Sequence, residues 1–345
     1  MKIRFITLAI ISAYFLSCGE TNENAKIQNS RSTIVDVSNQ LVNLQLEYTS
    51  IIGRSRMYIL NDYLIVCDLQ SPDRGIHIYE KNSQEYITST GVRGKGPREI
   101  TRYGRITVDS NNNLFYMPDY GKMKIFRFDM DSVLSDNSYM PTAFFNLNKE
   151  LFPVSYGLVK DSLIIGTALD VIDSRNFNSV VVSCNLNTGE IKKLSHPHPE
   201  IPAKNLTTFF ALSEEHNMYV EAYQRNDLLT IHDLDGNLRH NVYGPAWGSK
   251  EKDVRHFYLV KTMNDIIVAS YSGEERFEID DQQRPSPNLP TKFILFNMEG
   301  DYLKTLETSH GISRFNVDPD DNRLYIYFED REESFAYLDL SDIMK

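Results

Sequence analysis

Asn61-Asp-Tyr-Leu-Ile-Val-Cys67 is a tight polar turn followed at once by an apolar strand, and the same pair of features returns five more times. It reappears as Asn111-Asn-Asn-Leu-Phe-Tyr116, Lys160-Asp-Ser-Leu-Ile-Ile165, Glu215-His-Asn-Met-Tyr-Val220, Asn264-Asp-Ile-Ile-Val268 and Asp321-Asn-Arg-Leu-Tyr-Ile326. The first apolar residues of these strands, Leu64, Leu114, Leu163, Met218, Ile266 and Leu324, stand 48 to 58 residues apart. A strand precedes each turn. In most copies two more follow, joined by turns such as Lys81-Asn-Ser-Gln84, Leu186-Asn-Thr-Gly189, Leu234-Asp-Gly-Asn237 and Met298-Glu-Gly-Asp301. Asn, Asp and Gly tolerate the positive φ that hairpin loops require. Each period thus holds four short strands, a sheet that cannot bury both faces alone. Six such units predict an all-β, six-bladed β-propeller of four-stranded antiparallel blades, in which neighbours cover one another round an axis.

The last unit offers only three strands, in residues 313–317, 323–328 and 334–340. Residues 32–50 precede the first blade and contain Ile34-Val-Asp-Val37 and Leu41-Val-Asn-Leu-Gln-Leu46, which alternate as strands do. This segment is expected to supply the missing outer strand, so that an N-terminal strand closes the ring.

Composition agrees with a packed sheet protein. Of 345 residues, 41% are hydrophobic and 24% charged, which excludes low-complexity disorder. Aromatics reach 11%, with 20 Tyr and 18 Phe, a bias toward sheet. A net charge of −11 argues against nucleic acid as a partner.

The chain starts with cationic Met1-Lys-Ile-Arg4 and an apolar run over residues 5–16, too short to span a bilayer, which needs about 20 residues. That pattern is a signal peptide. Leu16-Ser17-Cys18-Gly19 resembles the lipobox of bacterial lipoproteins, with Cys18 as the acylated residue. The expected organisation is a signal peptide over 1–17, a polar tether over 18–32 and the propeller over 33–345. The address is the cell envelope, lipid-anchored to a membrane and facing the periplasm or the exterior, and the body is expected to be a monomer. Cys67 and Cys184 lie in apolar runs and are expected to be buried free thiols rather than a disulfide or a metal site.

Gly91-Val-Arg-Gly-Lys-Gly-Pro-Arg-Glu-Ile100, Arg105-Ile-Thr-Val-Asp109, Asn111-Asn-Asn-Leu-Phe-Tyr116, Pro118-Asp119 and Lys124-Ile-Phe-Arg-Phe-Asp129 together resemble one repeat of the NHL-like and TolB-like six-bladed propellers. The chain looks in particular like the six-bladed propeller lipoproteins of Bacteroidetes. The resemblance implies a fold and carries no catalytic motif.

In such a blade the blade-to-blade links and the links between strands two and three share one face. Here that face carries the long segments 91–100, 169–178, 196–205, 244–253 and 272–291. Long loops in a compact domain are commonly functional, so this elaborated face is the expected binding face. The innermost strands are basic for an acidic protein, with Arg54 and Arg56, Arg102 and Arg105, Arg255 and His256, and Arg314, while Tyr156 and Phe209 occupy the other two blades. Turned inward, they would form a funnel that focuses field on an anionic group. The same residues also suit structural roles, satisfying strand-end carbonyls or pairing with acids. Trp247, the single Trp, fits either an exposed stacking platform or packing between blades. The candidate ligand-binding set is Arg56, Arg105, Tyr156, Trp247, His256 and Arg314.

Other motifs are discounted. Gly91, Gly94 and Gly96 lack the strand, spacing and helix of a phosphate loop. Asp109-x-Asn111-x-Asn113 and Asp318-x-Asp320-x-Asn322 lack the Gly and distal Glu of a calcium loop. His196 and His198 have no third ligand nearby, and no nucleophile elbow or zinc-protease motif occurs. No cofactor, metal or catalytic residue is expected. The leading reading is a non-catalytic binding module for a glycan, peptide or protein. The alternative is a hydrolase or lyase acting on an acidic saccharide at the axial funnel, with Arg105 and Arg314 on the uronate and His256 or Tyr156 moving the proton.

Overall fold

Six antiparallel sheets stand round a common axis in the computed structural model, which describes residues 24–46, 55–148, 151–160, 162–173, 177–194, 198–202, 206–249, 253–279 and 283–345. The expectations for residues 1–17, Cys18, Arg54 and His196 lie outside the described residues. From the axis outward, blade 1 is Ser55–Leu60, Tyr63–Asp68, Arg74–Glu80 and Tyr86–Val92. Blade 2 is Thr107–Asp109, Leu114–Asp119, Lys124–Asp129 and Thr142–Asn146, and blade 3 is Pro153–Val159, Leu163–Val171, Phe177–Asn185 and Ile191–Lys193. Blade 4 comprises Thr208–Ser213, Met218–Tyr223, Leu228–Asp233 and Leu238–Tyr243. Blade 5 comprises Val254–Met263, Ile266–Glu275, Lys292–Asn297 and Tyr302–Glu307. Blade 6 takes Ile312–Asp318, Arg323–Phe328 and Phe335–Asp339 from the end of the chain and Val42–Asn43 from its start. Each innermost strand touches the innermost strands of both neighbouring blades, so the ring is closed.

The repeat signal has a backbone origin. One residue of each first hairpin sits at positive φ: Asn61, Asn113, Lys160, Asn217, Asn264 and Asn322, all between 48° and 53°. This left-handed region is costly for most side chains, and Asn enters it most readily after Gly. The turns also join the blades. Asn61 Nδ2 donates to Ser110 O and Asn113 Oδ1 of the next blade, and Asn264 Nδ2 donates to Pro319 O and Asn322 Oδ1.

The core is divided among the six contacts between sheets. Ile65, Ile76, Phe115 and Phe126 fill the space between blades 1 and 2, and Val220, Ile231, Ile267 and Ile294 that between blades 4 and 5. Each buried side chain of this size contributes about 2 kcal/mol. Cys67 and Cys184 are buried free thiols in separate blades, and burial pushes the Cys67 thiol up to about 12.

The N-terminal segment closes the ring, but it does more than add one strand. Ala25–Ile27 pairs in parallel with Leu238–Tyr243, and Ile34–Asp36 in parallel with Tyr302–Glu307. Only then does Val42–Asn43 pair antiparallel with Phe335–Asp339. Blades 4 and 5 are therefore five-stranded, and residues 24–32, read from sequence as the end of a polar tether, are an arm lying along the ring. Parallel edge pairing satisfies backbone groups without burying apolar side chains, so a polar sequence does not betray it.

Arg31 fixes this arm. Its guanidinium pairs with the fully buried carboxylate of Asp227 at 2.9 Å and lies 5.1 Å from the Tyr271 ring centroid and 5.8 Å from that of Phe257. Asp227 also accepts from the Ala246 N–H at 3.1 Å and the Tyr271 hydroxyl at 3.3 Å. A side chain at Gly244 would collide with that carboxylate, so the turn beside it requires Gly.

The two faces differ as expected. On the elaborated face the second and third strands of blade 3 extend to nine residues, and blade 5 adds a small hairpin, Phe277–Ile279 with Pro285–Pro287. The expected long loop over 272–291 is thus partly strand. The other face, here the turn face, holds the first hairpins and the links between strands three and four. Its one long link carries a short helix, Met130–Ser135, capped by Asp129, which accepts from the Ser132 N–H at 2.8 Å.

Candidate functional site: an axial cationic channel

The innermost strands enclose a channel of about 340 Å³, with walls from all six blades. Arg56, Arg105 and Arg314 stand four residues before Leu60, Asp109 and Asp318, the last residues of their innermost strands. These strands belong to consecutive blades, 1, 2 and 6, so the arginines form an arc at one level. Lys261 comes from blade 5, two residues before its strand ends at Met263 and hence nearer the turn face. All four side chains line the channel.

Cations this close raise one another's free energy. Burial and the Arg56 charge hold the Arg105 guanidinium below its ordinary value. Burial and the Arg105 charge bring the Lys261 ammonium down to about 8. Arg56 Nη1 donates to Gly104 O at 3.0 Å and Arg314 Nη1 to Ser313 O at 2.6 Å. Among the described residues no carboxylate pairs with Arg56, Arg105 or Lys261. The one acid of the wall, Glu214, is exposed at the turn-face end and accepts from the Lys160 N–H at 3.2 Å. Buried charges are ordinarily paired, so Arg56, Arg105 and Lys261, which meet no described carboxylate, are a standing cost to the fold.

The walls are held rigidly. Thr107 Oγ1 donates to Tyr156 O at 2.9 Å, Thr262 Oγ1 to Leu212 O at 2.7 Å, and Asn316 Nδ2 to Met57 O at 3.1 Å, each joining neighbouring innermost strands. Tyr156 lines the channel, and its buried hydroxyl has no hydrogen-bond partner among the described residues. Burial pushes that hydroxyl well above its ordinary value, so it remains a donor near neutral pH. The lumen thus offers guanidinium, ammonium and phenol donors and almost no acceptor charge, a chemistry that fits carboxylate, sulfate or phosphate.

Of the sequence candidates, Arg56, Arg105, Tyr156 and Arg314 are brought together, and His256 and Trp247 are not. His256 is on an innermost strand but buried away from the lumen, with Nδ1 3.3 Å from the Tyr271 hydroxyl. Trp247 packs on His198 and Tyr243, with ring centroids 5.3 and 4.8 Å away, which is packing between blade links. Arg255 is buried beside Asp253 at 3.3 Å, Arg102 is exposed, and Phe210 rather than Phe209 reaches the channel. The glycine-rich stretch is a staple: Arg93 donates to Ser71 O and Leu69 O, and Lys122 Nζ to Gly96 O and Glu99 O.

Lys261 was missed because the blade 5 strand is ten residues long and has two register shifts near its start. Reading from that start selects Arg255 and His256. Counting four residues back from its end at Met263 selects Leu259, and Lys261 follows it two residues on, on the same face of the strand. A cleft of about 480 Å³ at the edges of blades 3 and 4 holds His198 and His232, but His198 Nε2 lies 2.9 Å from the Tyr243 hydroxyl and His232 Nε2 3.1 Å from Thr230 Oγ1, so their polar atoms are already engaged.

Ring and channel together define a six-bladed propeller with a cation-lined axis. The chain belongs to the family described as DUF5128: 6-bladed beta-propeller, which its residues 23–240 match. No curated protein matches it. A member of the DUF4221 family from Bacteroides vulgatus is similar in structure, at a TM-score of 0.62 and 12% identity over 87% of this chain and 95% of that one. A putative exported protein from Bacteroides fragilis gives 0.52 and 12% over 91% and 98%. A calcium-binding protein, regucalcin, from Agrobacterium tumefaciens gives 0.52 and 10% over 89% and 94%. At these identities the likeness is one of fold.

Proposed function

We propose that the protein is an extracytoplasmic, lipid-anchored binding module that captures an anionic group of a glycan, peptide or protein at its axial channel without turning it over. The observation that carries this is the set of Arg56, Arg105 and Lys261, which share one lumen and pair with no carboxylate among the described residues. The cost of such an arrangement is relieved by a bound anion. The leader-like first residues and Cys18 give the address, and the exported description of one structural neighbour is in keeping with it. Binding is favoured over turnover because His256, the proton carrier of the enzymatic alternative, is outside the lumen, and the Tyr156 hydroxyl holds its proton.

The test is thermal unfolding of residues 19–345 with acidic and neutral oligosaccharides, acidic peptides and inorganic phosphate at two salt concentrations. An anion at about 100 times its dissociation constant adds about 2.7 kcal/mol, less at high salt. Arg105→Met and Lys261→Met should each raise the stability of the free protein by about 1 kcal/mol while abolishing that gain, since sites built for function are strained when empty. Ligand stabilisation that survives both substitutions would place binding elsewhere.

A further inference from the structure

The direction in which the chain enters the ring decides which face meets the membrane. Leu238–Tyr243 leaves the Asp233–Asn237 turn on the turn face and runs toward the elaborated face. Ala25–Ile27 runs parallel to it, with Ala25 opposite Asn241 and Ile27 opposite Tyr243. The chain before Ala25 therefore arrives from the turn-face side. It is held there by the Asn241 N–H, which donates to Asn24 O at 2.7 Å, and by Lys26, which pairs with Asp301 of the blade 5 turn at 2.7 Å.

Six steps along the chain separate Asn24 from Cys18, a reach of about 20 Å when fully extended. That reach covers the few residues of strand between Asn24 and the turn face. It does not clear the opposite side, where the long second strand of adjacent blade 5 runs on to Glu275, about 23 Å above the level of Asn24, before its hairpin begins. We infer that the turn face is directed at the membrane and that the elaborated face, with the arginine end of the channel, looks away from it into the aqueous space. This rests on the reading of Cys18 as the lipidated residue.

The turn face is suited to hover over lipid rather than enter it. Asp265 and Glu299 are largely exposed there, Asp235 is exposed, and the anionic headgroups of a leaflet repel all three. The partner surface is thus a bilayer held at tether length, and ligands reach the arginine arc from the side opposite to it.

The experiment uses the full chain, processed in a lipoprotein-making bacterium and reconstituted in vesicles that carry an acceptor dye on their headgroups. A donor dye is attached at Asp235→Cys on the turn face or at Glu278→Cys on the blade 5 hairpin, the buried Cys67 and Cys184 staying unlabelled. Energy transfer should be at least about twofold higher from position 235, given a separation of more than about 20 Å between the labels along the axis. Equal transfer would mean that the ring stands on edge, and stronger transfer from position 278 would reverse it; either overturns the orientation while the anchor stands. If the full chain fails to join vesicles, or if Cys18→Ser joins them as well, the anchor reading falls and the orientation with it.

Discussion

Glu221 is a carboxyl group almost fully buried in the second strand of blade 4, with one hydrogen bond, from Thr208 Oγ1 at 3.0 Å. Burial raises its pKa from 4.5 to about 7. The folded state thus keeps a proton that the unfolded chain loses, so stability is full below pH 4.5 and declines as pH rises to about 7. The loss approaches about 3 kcal/mol. Glu221→Gln keeps the acceptor for Thr208 and removes the titration, so unfolding followed from pH 5 to pH 8 should show a flatter profile and a more stable protein at the alkaline end. An unchanged slope would assign the pH response to other groups. Arg105 and Lys261 bear the opposite kind of charge on the same principle, since burial penalises whichever form is ionised.

Single residues also decide how much was legible in sequence. The six polar turns were readable because Asn at a left-handed position is a local backbone requirement, written in the residues that obey it. Arg56, Arg105 and Arg314 were readable because no register shift lies between them and the turn-side ends of their strands, so distance from the turn gives level along the axis. Lys261 was obscured by the bulges of its strand, and His256 was misplaced for the same reason. Arg31 and Asp227 are 196 residues apart and meet only through the closure of the ring, so no local pattern announces them.

The N-terminal arm is the element on which that closure depends. Its two parallel strands are three residues each and bury little, so the arm is held chiefly by Arg31, Val37 and Leu44. Arg31→Ala would leave Asp227 buried and without its cation, which costs about 3 kcal/mol. Arg31→Lys should recover only part, because an ammonium lacks the planar stack on Tyr271 and Phe257. Denaturant midpoints of the three proteins test this. A loss below about 0.5 kcal/mol in Arg31→Ala would mean that the pair adds no more than an exposed one.

At the scale of the whole molecule the arm and the channel are one problem, because the channel has walls only while the ring is shut. Truncation after residue 50 removes the outer strand of blade 6, bares the edge of Phe335–Asp339 and deletes the buried Val37 and Leu44. Such a protein should melt at lower temperature and associate through the open edge, as size-exclusion chromatography would detect. A truncated chain that is monomeric and equally stable would show that the arm is dispensable.

The arm is also made before the blades it joins. Val42 and Asn43 leave the ribosome before any of the six blades, yet their partner strand Phe335–Asp339 belongs to the sixth. Contacts so distant in the chain form slowly, and here they wait until the sixth blade has been made. A chain halted before Phe335 has no partner for those two residues, and one halted before Ile312 has no sixth wall round the channel either. The binding site is whole only once the ring is shut, and a copy halted before that has an open-sided channel to offer a ligand.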